Sequence, residues 1–184
     1  MGYSVAMGAR AMTFRRLFRV LVFVAAMVSP VLSGAKADAG GGPDDCAGAA
    51  TSALLAEGCQ SLDAFMAAFN SRDSLKWAQT LNYPHVRIAG GEVLVWQTPE
   101  EYARTNDLEK LAASGWHHSK WDWRHLVQSS DDKLHFTVQF SRYDDQDRRL
   151  ASYESLYILT RKDGHWGVQA RSSYAGTKVP GSAF

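Results

Sequence analysis

The sequence predicts an α+β domain in which short helices pack on one face of a mixed or antiparallel β-sheet. Two observations carry this. Apolar residues recur at helical spacing only in the first part of the domain, and from about residue 116 onward the chain alternates through four long runs separated by aspartate-rich turns. A third bounds it: 184 residues hold one ordinary core.

The N-terminal segment comes first. Residues 1–37 carry Arg10, Arg15, Arg16, Arg19 and Lys36 and no acidic residue, and an apolar run from Val20 to Leu32 follows the arginines. Ala35 and Ala37 supply the small residues that signal peptidase accepts, so the pattern predicts a signal peptide over 1–37. The run is shorter than the ~20 residues of a bilayer crossing, and an uncleaved membrane anchor is the alternative. Met12 is a second candidate start, because residues 1–11 add little to the signal.

Cleavage would remove five of the 20 basic residues, leaving 15 against 19 acidic ones and a mature charge near −4. The basic excess belongs to the targeting segment, which argues against a nucleic-acid surface. The mature chain is expected in an exported compartment, periplasm or exterior, with no membrane attachment after cleavage.

Residues 38–45 (DAGGGPDD) are glycine-rich and acidic and read as a flexible leader. The domain proper is expected over 46–184. Cys46 and Cys59 lie in the exported part and are expected to pair there. An unbroken helix between them would hold the sulfurs out of reach, so the chain must fold back, with Gly48 and Gly58 as the residues that permit it.

Leu62, Phe65, Met66 and Phe69 define a helix from Ser61; Asn70 to Asp73 interrupt it, and Asp73 caps a second helix carrying Leu75, Ala78 and Leu81. Tyr83 to Ile88 and Glu92 to Trp96 flank Ala89-Gly90-Gly91 as a tight hairpin. Thr98 and Glu101 form a capping box with Pro99 at the first helical position, opening a third helix that ends at Ser114-Gly115. Four strands follow, at about 116–128, 134–143, 150–162 and 166–174.

This order, together with Ala68-Phe69-Asn70-Ser71-Arg72-Asp73 at the helix corner and Asp163-Gly164-His165-Trp166-Gly167-Val168 before the last strand, resembles the nuclear transport factor 2-like superfamily. The resemblance covers about 61–174 and implies a cone, a strongly bent sheet covered by the N-terminal helices. The superfamily includes ketosteroid isomerases, dehydratases, polyketide cyclases and noncatalytic ligand binders, so fold does not choose the function. No segment matches the aspartate base and tyrosine-plus-acid oxyanion hole of the isomerases, and the dehydratase histidine–aspartate motif does not align.

Site candidates therefore come from the strands. Leu134, Phe136, Val138 and Phe140 share one face. A register pairing Arg142 with Ser152 would place Leu156 and Ile158 on that same apolar side and Glu154 at its end, opposite Phe140 and diagonal to Arg142. Glu154 is then either an ion-pair partner of Arg142 or Arg171, or a proton-transfer group.

The run Trp116-His117-His118-Ser119-Lys120-Trp121-Asp122-Trp123 combines stacking surfaces with proton-transfer groups. Alternation puts His118 and Asp122 on one face and His117, Ser119, Trp121 and Trp123 on the other, so one histidine of the pair faces the cone. Tyr83, His85 and Arg87 share a face of the first hairpin strand, where Arg87 suits an anionic or carbonyl group. Arg171, Ser172 and Ser173 read as edge or interface residues.

No metal site follows, since adjacent histidines on opposite faces of a strand make poor joint ligands and the cysteines lack CxxC spacing. No cofactor follows either: the chain has no Gly-rich phosphate loop, nucleophile elbow or HExxH. Two functions remain. One is a noncatalytic domain that binds a small apolar molecule at Tyr83, Arg87, Trp116, Trp121 and Arg142, or that forms a homodimer through the outer sheet face. The other is a cofactor-independent lyase or isomerase in which Glu154 or His118 moves a proton.

Overall fold

Helix α1 (Ala53–Asn70) begins before Ser61, because Ser52 caps it and Leu55, Gly58 and Cys59 already lie on its buried side. The computed structural model that shows this describes residues 42–48 and 50–175; the expected signal peptide and most of the expected leader lie outside them. Asp73 accepts hydrogen bonds from the backbone N–H groups of Leu75 and Lys76 and starts α2 (Ser74–Ala78). Thr98 caps α3 (Pro99–Thr105), as the capping box predicts. The expected third helix is broken, however: Asn106 leaves helical geometry and Asp107 caps a separate α4 (Leu108–Ala112).

The strands are β1 (Leu81–Ala89), β2 (Glu92–Trp96), β3 (His118–Ser130), β4 (Lys133–Tyr143), β5 (Arg149–Lys162) and β6 (His165–Ser173). They form one open mixed sheet in the order β2-β1-β6-β5-β4-β3, antiparallel throughout except for the parallel β1–β6 pair. Register shifts interrupt four of the five pairings, and such bulges bend and twist a sheet.

Helix α1 covers one face of the sheet. Gly58 makes this close approach possible, since a Cβ there would come within 2.7 Å of Leu134 and 2.9 Å of Phe136. Gly58 is thus a helix–sheet contact residue, while Gly48 takes a positive φ of +127° in the segment between the cysteines. Cys46 and Cys59 form a disulfide with Cα atoms 5.5 Å apart.

The acidic pair assigned to the leader is tied down. Asp44 accepts from the backbone N–H and guanidinium of Arg124, and Asp45 accepts from the Leu126 N–H.

The β4–β5 register differs from the expected one by a single residue. Arg142 pairs with Ala151, Phe140 with Tyr153 and Gln139 with Glu154. Because side chains alternate, that slip reverses the faces of β5. Ser155, Tyr157 and Leu159 point into the core with Phe136 and Val138, while Leu156 and Ile158 are only half-buried on the other side. The hydrophobic pattern misled because Tyr153 and Tyr157, with Ser155, take the inward positions that Leu156 and Ile158 would fill on hydropathy alone.

Candidate functional site

Three arginines meet inside the sheet. Arg87 on β1, Arg171 on β6 and Arg142 on β4 are 1%, 7% and 1% exposed, and all three line one small cavity. Arg87 and Arg171 are direct register partners across the parallel pair, and Arg171 is opposite Tyr157 on β5. Phe65, Met66 and Phe69 of α1, Trp77 of α2 and Phe140 of β4 form the apolar wall, and Ser173 and Ala175 complete the lining. The cavity volume is about 20 Å³, room for about one water.

No aspartate or glutamate lines the cavity among the described residues. The Arg87 Nη2 donates to the Ala175 carbonyl at 2.9 Å, and the Arg171 Nη2 donates to the Tyr102 hydroxyl at 2.5 Å. Among the described residues Arg87 Nε and Nη1, Arg171 Nε and Trp77 Nε1 have no hydrogen-bond partner. All four are donors, so among the described residues the cavity offers more hydrogen-bond donors than acceptors to meet them.

The electrostatics agree. Burial, and then the neighbouring Arg171, push Arg87 down to about 9; burial pushes Arg142 down to about 10. Both remain charged at neutral pH. Burial opposes the charge of Arg171 while the Tyr102 and Tyr157 oxygens favour it, with a net upward direction. Tyr102 is itself pushed up to about 12 by burial, so at neutral pH it is a neutral phenol that accepts a hydrogen bond without supplying a counter-charge. Aromatic faces give partial relief: Arg171 lies 5.2 Å from the Trp77 ring and Arg142 lies 5.0 Å from the Tyr153 ring.

His85 is beside this cluster, fully buried between Trp96 and Tyr102. Its Nδ1 is 2.9 Å from the Val168 carbonyl, which can only accept, so Nδ1 carries the proton and Nε2 is a bare acceptor. Burial, with Arg171 adding to it, pushes its pKa down to about 3.

The sequence-derived candidates divide. Arg87 and Arg142 line the cavity. Trp121 stands behind its wall, 5.8 Å from Tyr157 and 6.3 Å from Phe140. Tyr83 shares the inner side of β1 but its hydroxyl donates to the Ala78 carbonyl. Trp116 packs on Phe69 and donates to the Ser119 hydroxyl, away from the lining.

Glu154 is on the outer side opposite Gln139 and forms no ion pair among the described residues. His118 is on the outer rim, 3.0 Å from Asp147 and stacked on Tyr143. His117 contacts it there, so neither histidine faces the cavity. A bulge after Trp121 also separates the tryptophans: Trp121 is opposite inward Phe140, and Trp123 is opposite outward Gln139.

Arg171, expected at an edge or interface or as an ion-pair partner of Glu154, lines the cavity instead. The β5–β6 register skips Gln169 between Val168 and Ala170, which reverses the alternation and turns Arg171 inward.

The family model described as NTF2-like protein (DUF6841) matches residues 57–175. The chain belongs to this NTF2-like family. Solved structures share the fold. A protein of unknown function with a cystatin-like fold from Nostoc punctiforme has a TM-score of 0.56 at 13% identity, covering 70% of this chain and 96% of that one. Aln2 from a Streptomyces species has 0.55 at 18% identity, with 66% and 89% covered. A ketosteroid isomerase-like protein from Erwinia carotovora atroseptica has 0.52 at 19% identity, with 66% and 95% covered. At these identities the likeness is one of fold. Comparison with curated proteins gave no significant match.

Proposed function

We propose that this NTF2-like domain is a noncatalytic binding module whose cone takes a small molecule with an apolar body and an anionic head. One observation carries the reading: Arg87 and Arg171 are buried side by side, with unpartnered donors and no carboxylate among the described lining residues. Like charges directly opposite one another in a sheet repel, and a buried charge needs a partner. An anionic ligand supplies it. The aromatic wall of Phe65, Phe69, Trp77 and Phe140 suits the apolar body.

Export is part of the proposal. The Cys46–Cys59 disulfide suits an oxidising compartment, and no helix among the described residues is long and apolar enough to cross a membrane. Ile88, Val93 and Val95, all exposed on the β1–β2 hairpin, support self-association as a second element of the reading.

The lyase or isomerase alternative needed Glu154 and His118 to face one cavity. They are on the outer side and outer rim, and the buried histidine on the inner side of β1, His85, is too weak a base at neutral pH.

Native mass spectrometry of the purified mature protein, with thermal melting in sodium benzoate against sodium chloride at equal ionic strength, tests the binding reading. Retained small anion or a benzoate-specific rise in Tm is expected. Equal melting in both salts with nothing retained would remove it.

A further inference from the structure

The arginine site already holds a ligand of a kind, and it is part of the chain. Strand β6 ends at Ser173, yet the chain does not leave the sheet there: Tyr174 is 84% exposed while Ala175 is 2% exposed. The turn is held by three hydrogen bonds. Ser155 Oγ donates to Ser173 Oγ at 2.8 Å, the Ala175 N–H donates to the same Ser173 Oγ at 3.1 Å, and the Tyr174 N–H donates to the Glu154 carbonyl at 3.2 Å. Ala175 thereby enters the core and presents its carbonyl to Arg87.

We propose that Ser173–Ala175 is a built-in occupant of the anion site, the Ala175 carbonyl standing where a ligand oxygen binds on Arg87. This rests on the anion reading above and specifies how the ligand enters. A neutral carbonyl is a weak partner for a buried guanidinium, because charge-assisted bonds are about twice as strong as neutral ones. The remaining cavity, about 20 Å³, has no room for a carboxylate head beside Ala175. The incoming anion therefore exchanges with the segment, taking the Arg87 donor and the volume that Ala175 vacates. The segment is suited to leaving, since Tyr174 buries little and the methyl of Ala175 is the smallest chiral side chain.

The test uses the full mature chain and sodium benzoate as probe, read by intrinsic tryptophan fluorescence in stopped flow and by equilibrium titration. In the parent, the observed association rate should level off at high benzoate, at the opening rate of the segment. Replacing Tyr174→Gly with Ala175→Gly should raise that plateau and tighten binding by ~3–10-fold, because the closed segment is the binding-incompetent state. Ala175→Asp, which puts a carboxylate on the occupant, should abolish benzoate binding and raise Tm in benzoate-free buffer. If the glycine variant binds with the parent's rate and affinity, the segment is no occupant, although the anion site stands. If neither parent nor glycine variant binds benzoate while both melt cooperatively, the anion reading fails and this inference with it.

Discussion

Arg87 and Arg171 face each other across the parallel β1–β6 pair, two guanidiniums on the buried side of the sheet with a phenol and a backbone carbonyl as their hydrogen-bond acceptors. That arrangement costs stability unless an anion joins it. It also makes the behaviour of single variants specific enough to test.

Arg87→Met should be at least as stable as the parent in buffer free of binding anions, gaining up to ~1 kcal/mol from the lost repulsion, because apolar replacement of an unpaired buried charge is often neutral or favourable. It should also lose any benzoate-dependent rise in Tm, which for a single site reaches ~2.7 kcal/mol at a hundredfold excess over Kd. Thermal melting with and without benzoate reads both effects. A loss of several kcal/mol without benzoate would mean that the protein satisfies Arg87 internally.

His85 sets a pH dependence. Its folded pKa is pushed down to about 3 from an ordinary value of 6.5, mainly by burial, so the unfolded chain takes up a proton first as pH falls. The stability tied to neutral His85 is complete above about pH 6.5 and declines at up to ~1.4 kcal/mol per pH unit toward pH 3. Urea unfolding at pH 7, 6 and 5 should show this slope, and His85→Asn should flatten it. An unchanged slope in the variant would assign the acid sensitivity to other groups.

Opening the Cys46–Cys59 bridge with a dithiol, or by Cys46→Ala with Cys59→Ala, should cost ~3 kcal/mol by the chain-entropy estimate for a loop of this size. Asp44 and Asp45 should then lose their hold on β3, so the backbone amides of Arg124 and Leu126, which donate to them, should exchange faster with solvent. Unchanged exchange there would show that the Arg124–Asp44 clamp holds the segment unaided.

Glu154→Gln should be nearly silent, within ~0.5 kcal/mol in stability and without effect on benzoate binding, since the carboxylate is half-buried on the outer side and has no ion-pair partner among the described residues. Denaturant titration and the benzoate assay decide it. A stable variant that lost a turnover shown by the parent would restore the lyase or isomerase reading.

Much of the fold was legible locally. Asp73 and Thr98 announced their helices because an N-cap is a contact between a side chain and backbone a few residues away. The Ala89-Gly90-Gly91 hairpin and the inward side of β4 were legible for the same reason: a turn and a period of two are short-range properties. The cysteines could be paired from their number and the expected export of the chain. The face on which Glu154, Trp123 and Arg171 lie could not be read this way. It depends on which residue of one strand is opposite which residue of the next, and on bulges at Asp122 and Gln169 that no local pattern signals. A single step of register exchanges the two sides of a strand. The sequence by itself therefore determined most of the elements, their order and the family to which they are similar, though not the break between α3 and α4. Only the tertiary structure decided that three arginines, on strands β1, β4 and β6, share one interior, because their proximity is a product of strand pairing and is written in no single segment.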